Sequence, residues 1–317
     1  MFFASNHVKK LAADLFGSSA DGDAFIQSLV KPPTFDTAVL WLEERPTAMP
    51  FPARITHSWQ PEFVDCVSID HRPGRHQLHQ QGAYYCLDVS SVFAACVLEA
   101  MTIRPERVLD LCASPGGKSV FAWRLFHPEV LVANEVIGKR TAALIANLRR
   151  CRIRPSVVLT RDSSILAEAC AEAADLVIVD APCSGQSLIA RGKPSPGCFH
   201  PATINRNANR QRRILACASR TVAPGGYLAY LTCTYARKEN ENNVAWLMKK
   251  VPHFRSVAVA KLAGFQSHLA DFPCYRLWPQ QAIGAGAFAV LLQNQTGGQR
   301  RSLGLESLRP AWRSETY

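Results

Sequence analysis

The sequence predicts an open α/β fold, a mostly parallel sheet of about seven strands with a small mixed region ahead of it. Three observations carry that expectation. Between about residues 83 and 295, short apolar runs alternate with amphipathic segments, the rhythm of βαβ units. One run, Asp175–Asp180 (DLVIVD), is continuously apolar between its two acids, as a strand covered on both faces requires. Hydrophobic residues make up 48% and charged residues 19% of the 317, which supports a real core and excludes disorder over most of the chain.

The elements follow in order. Residues 1–80 mix short helical and extended stretches with many prolines, among them Pro32, Pro33, Pro46, Pro50, Pro52, Pro61 and Pro73, which break long elements. Residues 81–295 hold the sheet. Arg107–Leu111 (RVLDL) reads as its first strand, followed by the turn CASPGGK and a helix through Phe121 and Leu125. Val130–Asn134 is the second and ends at Glu135, and the next helix sets Ala142, Ile145 and Leu148 on one face. Ser156–Thr160 is the third, ending near Asp162, and Asp175–Asp180 is the fourth. A basic segment and a helix ending before Pro224-Gly225-Gly226 lead to the fifth, Tyr227–Leu231. The sixth and seventh are expected near Phe254–Val259 and Ala287–Leu292, and residues 296–317 read as a loose, flexible basic tail.

Thirty-six Lys and Arg against 25 Asp and Glu leave a formal charge of +11, which favours a polyanionic partner, most simply nucleic acid. No apolar run approaches a membrane span, and the first residues, MFFASNHVKKLAADLF, lack a signal-peptide pattern, so a cytoplasmic location without a membrane partner is expected. The 11 cysteines contain no Cys-x-x-Cys and no zinc-ligand spacing, so neither a disulfide scaffold nor a metal is expected.

In open α/β sheets ligands bind beyond the carboxyl ends of the strands, and four polar signals fall there. After the first strand comes Cys112-Ala113-Ser114-Pro115-Gly116-Gly117-Lys118, whose glycines permit a sharp turn and a close ligand approach. Glu135 ends the second strand, placed to take both hydroxyls of a ribose, while Asp162 ends the third within reach of an adenine edge and Asp180 ends the fourth. The dinucleotide fingerprint G-x-G-x-x-G and the Walker pattern are both absent. A short turn plus a ribose-binding acid suits a nucleoside cofactor without a pyrophosphate, such as S-adenosyl-L-methionine. The plain alternative is an ordinary tight turn with helix-capping acids.

Two cysteines stand out by their setting. Asp180-Ala-Pro182-Cys183-Ser184-Gly185 follows the fourth strand and Thr232-Cys233-Thr234-Tyr235 the fifth, so neighbouring strands would bring both thiols into one cleft. Cytosine C5 is too poor a nucleophile to attack a sulfonium methyl unaided. A thiolate adding to C6 makes the ring enamine-like, so C5 takes the methyl before its proton and the thiol depart. In that chemistry Asp180 holds the base through its exocyclic amine and ring nitrogen, and Lys118 supplies positive charge. Which cysteine is the nucleophile is left open by the residues themselves.

DLCASPGGK, DAPCSG and LTCTY, in this order and spacing, resemble the Sun-type (RsmB/RsmF-like) family of RNA cytosine-C5 methyltransferases, over about residues 77 to 292. The resemblance implies a Rossmann-like class I methyltransferase sheet behind a substrate-framing N-terminal region. It implies Cys233 as nucleophile and Cys183 as the residue assisting product release. It also implies cofactor contacts at Cys112 through Lys118, Glu135, Asp162 and Asp180. The chain departs from the pattern where Leu87 precedes Asp88, where an Arg-x-Asn element is missing around PPTFDTAVLW, and where Phe199 replaces a frequent Trp.

Between the two cysteine motifs lies QSLIARGKPSPGCFHPATINRNANRQRR, with no acid. Arg191, Lys193, Arg206 and Arg210 read as a phosphate-binding lip, and Phe199 as a platform for a base. The same helix is expected to turn Ile204, Ala208, Leu215 and Ala218 to the core, and Arg300, Arg301, Arg309 and Arg313 to add nonspecific RNA affinity. The expected activity is methyl transfer to C5 of a cytosine in structured RNA, ribosomal RNA first and transfer RNA second, by a monomer. A non-catalytic RNA-binding ribosome assembly factor with a retained cofactor pocket is the competing reading; an oxidoreductase on the same fold is opposed by the missing fingerprint.

Overall fold

A computed structural model describes residues 3–54 and 56–315. Two helices, Asn6–Phe16 and Ala20–Val30, open the chain, and a small antiparallel sheet follows, built from β1 (Thr37–Trp41), β2 (Val64–Val67) and β3 (Tyr84–Asp88) in the order β2-β1-β3. Because β3 lies beyond residue 80, the boundary expected there moves: the small sheet ends at Asp88. Asp88 itself caps the next helix, Val89–Ala95, its Oδ1 accepting from Ser90 N at 2.9 Å.

The large sheet contains β4 (Arg107–Asp110), β5 (Val130–Asn134), β6 (Ser156–Leu159), β7 (Ala174–Asp180), β8 (Val222–Thr232), β9 (Phe254–Ser256), β10 (Tyr275–Leu277), β11 (Ala287–Asn294) and β12 (Trp312–Arg313). Its order is β10-β11-β8-β7-β4-β5-β6-β12, with β9 beside β10 on the outer edge of β11. The five strands from β8 to β6 run parallel, and β11 closes one side antiparallel to β8. The seven expected strands are all present. The two unforeseen ones, β10 and β12, are three and two residues long, too short to show alternation.

Chain order reverses at β4, with β5 and β6 added on one side and β7 and β8 on the other, so the crevice opens between β4 and β7. The apolar run of β7 is buried from Ala174 to Val179, between one core layer that includes Leu176 and Ile178 and another that includes Val177 and Val179. Helix Pro201–Thr221 flanks it, started by Pro201 and by His200, whose Nδ1 accepts from Ala202 N. It buries Ala208, Leu215 and Ala218 as expected, while Ile204 stays half-buried. Among the described residues no helix is long and apolar enough to cross a membrane.

The expected loose tail is instead fastened, through residue 315; residues 316 and 317 lie outside the described residues. Trp312 and Arg313 pair with Val158 and Val157 of β6, and Ser314 N donates to Ser156 O at 2.9 Å. Arg300 pairs with Asp175 at 2.6 Å and with Glu106, and Arg301 with Glu172 at 3.0 Å. The physical reason is that β6 would otherwise present an unpaired edge, and that Asp175 is a largely buried acid in need of a cation. Arg300 is therefore held within the fold, while Arg301 pairs with Glu172 at the exposed surface.

Candidate active site

The in-register pairing of Asp180 with Leu231 sets the geometry of the site. Three residues past Asp180 and two past Leu231, both chains turn into the same crevice, and Cys183 Sγ lies 3.3 Å from Cys233 Sγ. Both thiols are free and half-buried, at the floor of a cleft of about 890 Å³. The pair is electrically unequal. A hydrogen bond from the Cys183 thiol holds the Cys233 thiol below its ordinary value, aided by the Ser187 hydroxyl and the Arg191 guanidinium, against burial and the charge of Asp180. Cys183 is pushed well up by the same hydrogen bond, by burial and by the charges of Cys233 and Glu239.

Asp180 lines the cleft, and its Oδ2 accepts from Lys118 Nζ at 3.0 Å. Lys118 is almost wholly buried, carried there by the helix Gly117–Phe126, and meets Asp180 rather than the open cleft. That pair leaves Oδ1 of Asp180 available to a ligand. Glu135, buried at the end of β5, accepts from Ile137 N at 2.9 Å and faces Arg140 at 3.3 Å. Asp162 caps the helix Ser163–Ala169, its Oδ1 accepting from Ser164 N and Oγ, and these hydrogen bonds hold its carboxyl below the usual range.

Cys112, Ser114, Glu135, Asp162, Asp180, Cys183, Cys233 and Arg210 all line this one cleft. Ala113, Pro115, Gly116 and Gly117 form the turn behind it. Gly116 has φ +113°, which favours glycine, and Asn147 Nδ2 steadies the turn by donating to Pro115 O. Glu135, Asp162 and Asp180, acids at three strand ends, line one cleft with room for a nucleoside cofactor.

The phosphate lip is more divided than the sequence suggests. Lys193 and Arg206 are exposed, and Arg210 reaches the cleft. Arg191 instead turns inward and pairs with Asp88 of β3 at 3.0 Å. Phe199 is not a base platform: it is buried with Ile189, Cys198, Val8 and Phe25, because the N-terminal helices bring an apolar face to cover it. Neither could have been foreseen from the intervening segment alone, since both partners come from residues 1–88.

Two side chains that local sequence did not single out tie the cysteine loops together. Gln186 Oε1 accepts from Tyr235 N at 2.8 Å and Ala236 N at 3.1 Å, and its Nε2 donates to Cys198 O. Glu239 bonds both loops, and Arg276 grips Glu241 at 2.5 Å while donating to Tyr235 O. A cluster of amides and acids just after LTCTY (ENENN) was the one available signal.

A parallel sheet with its cleft at the strand-order reversal, acids at successive strand ends and no dinucleotide fingerprint defines a Rossmann-like methyltransferase fold. The chain belongs to the 16S rRNA methyltransferase RsmB/F family, which matches residues 98–293, in agreement with the resemblance of its three motifs. It is similar to ribosomal RNA small subunit methyltransferase F of Klebsiella pneumoniae, 33% identical over 194 residues that cover 61% of this chain and 40% of the relative. It is similar also to the protein of that name from Cronobacter sakazakii, 33% identical over 241 residues, 74% of this chain and 50% of the relative. The chain thus spans half or less of the length of these relatives. The crystal structure of NSun6 from Pyrococcus horikoshii shares the fold, with TM-score 0.71 at 15% identity over 92% of this chain and 99% of that one.

Proposed function

We propose that this chain transfers a methyl group from S-adenosyl-L-methionine to C5 of a cytosine in small-subunit ribosomal RNA, acting in the cytoplasm. The observation that carries this reading is the pair of free thiols 3.3 Å apart at the floor of the cleft. The cofactor supplies an electrophilic methyl group. The protein's part is to make C5 nucleophilic and to release the product.

The target cytosine leaves its stack to reach the cleft. Asp180 accepts from its exocyclic amine with the oxygen that Lys118 leaves free. Cys233, the thiol held more acidic, bonds through Sγ to C6, and the electron pair of the C5–C6 double bond becomes available at C5. Once C5 carries the methyl group, its proton leaves to a base, the double bond re-forms and the S–C6 bond breaks. Cys183 assists that last step by donating its S–H to the departing Cys233 sulfur, the same contact that couples the two thiols at rest. Arg210 in the cleft and the exposed Lys193 and Arg206 hold phosphates of the RNA.

The test is incubation with the cofactor and separated small-subunit ribosomal RNA and transfer RNA, followed by mass spectrometry of the nucleosides. New 5-methylcytidine in the ribosomal pool is the expected result, and its appearance only in transfer RNA would replace the substrate. Cys233→Ala should abolish both turnover and covalent adduct, whereas Cys183→Ala should let a protein–RNA adduct accumulate. The reverse pattern would exchange the two roles. No methyl transfer together with no cofactor binding by calorimetry would favour the assembly-factor reading.

A further inference from the structure

Behind the cysteine pair lies a buried carboxyl group that the reaction above does not use. Glu239 is fully buried in the loop between β8 and the helix Glu241–Lys250. Its Oε2 accepts from Ser184 N at 2.9 Å and Gln211 Nε2 at 2.9 Å, and its Oε1 from Ser184 Oγ at 2.6 Å and Thr234 Oγ1 at 3.4 Å. Ser184 follows Cys183 and Thr234 follows Cys233, so one carboxylate bridges the residues next to both thiols. Gln211 also donates to Pro182 O at 3.1 Å, which steadies the other side of Cys183.

Neutral amides and hydroxyls would fasten two loops without the desolvation cost of an ion. A carboxyl group at this point, pushed upward by burial against the hydrogen bonds of Ser184, Gln211 and Thr234, therefore calls for a role beyond fastening. Its placement supplies one, because its charge acts on Cys183, whereas the Arg191 guanidinium, anchored by Asp88, acts on Cys233. The other ionised groups facing the pair are Asp180 with its partner Lys118; Tyr230 and Tyr235 are neutral phenols pushed upward by burial.

We propose that Glu239 is the positioning residue of the cysteine pair: it clamps the two loops at the spacing the thiols need and keeps the shared negative charge on Cys233 rather than Cys183. The proposal extends the reading of Cys233 as nucleophile, but its test requires neither RNA nor cofactor, so the two stand or fall separately.

The full chain is alkylated with iodoacetamide across pH 6–10, and the rates at Cys183 and Cys233 are read separately by peptide mass spectrometry. The native protein should alkylate at Cys233 about tenfold faster than at Cys183 near pH 7.5. Glu239→Gln keeps the shape and most hydrogen bonds but removes the charge. It should lower that preference by about threefold or more, chiefly through faster reaction at Cys183 at lower pH. Spacing is read by diamide, which oxidises two adjacent thiols to a disulfide while it is itself reduced to the hydrazine. Glu239→Gln should cross-link Cys183 to Cys233 at least as fast as the native protein and Glu239→Ala at least about fivefold slower. Arg191→Gln provides the opposite perturbation and should slow alkylation at Cys233. Faster alkylation of Cys183 than of Cys233 in the native protein would overturn the proposal, as would an unchanged preference in Glu239→Gln. Should Glu239→Gln fail to fold, an unchanged preference in Arg191→Gln would overturn it instead.

Discussion

Asp110 ends β4, wholly buried, with Ser119 Oγ donating to it at 2.7 Å and Cys112 N at 3.3 Å. Burial nevertheless pushes its pKa from the usual 3.8 up to about 7. Between those values the unfolded chain has released this proton while the folded chain keeps it. The contribution is thus fully present below about pH 4 and is lost as pH rises to about 7. Asp110→Asn preserves both hydrogen-bonding positions and removes the titration. Its urea midpoint should fall less than the native midpoint between pH 4.5 and pH 7.5; equal falls would assign the dependence to other groups. The strand-end position of Asp110 was legible in the sequence, but the full burial that raises its pKa against the pull of the Ser119 hydroxyl was not. Arg191 shows the same limit: its charge was plain, and its partner Asp88 lies 103 positions earlier in the chain.

Among the elements, the two N-terminal helices and the tail strand both have structural roles that composition disguised. Phe199 sits under the helices with Phe25 and Val8, so Phe199→Ala should destabilise the fold by about 3 kcal/mol in urea denaturation while leaving RNA affinity of the folded protein unchanged. Weaker RNA binding at unchanged stability would restore the base-stacking role. Removing the tail from residue 300 onward strips β12 from β6 and leaves Asp175 without its cation, and the melting temperature should drop by about 5 °C. An unchanged melting temperature would mean that the tail adds nothing to stability. Five strands of the parallel centre were readable because each is an apolar run bounded by turns. The pairing of β12 was not, since two residues carry no period and their register depends on an edge supplied about 150 residues upstream.

For the whole molecule, the excess of 11 positive charges acts together with the cleft. Some of the 36 cations are paired locally, Arg300 and Arg301 with Asp175, Glu106 and Glu172, and Arg191 with Asp88. Arg210 lines the cleft and Lys193 and Arg206 are exposed, and these three are the cations proposed to meet phosphates. Removing one cation that truly neutralises a phosphate should reduce the slope of log affinity against log salt by about 0.7 to 0.9. The triple variant to alanine should therefore flatten the slope by about 2 in filter-binding titrations, and replacing Arg300 should not alter it. If Arg300→Ala flattens the slope as much, RNA meets the far side of the sheet instead.

The βαβ rhythm, the acids at the strand ends, the glycine turn and the two cysteine motifs are all present in the linear order of residues, because each is a local pattern of residue type and spacing. Folding in three dimensions makes neighbours of strands remote in the chain, and so sets the two sulfurs 3.3 Å apart rather than merely on adjacent loops. It also selects which thiol is the more acidic. That inequality arises first from the hydrogen bond between the two thiols, with Glu239 adding to it at Cys183 and Arg191 at Cys233, contacts that depend on through-space distance and that no linear spacing encodes.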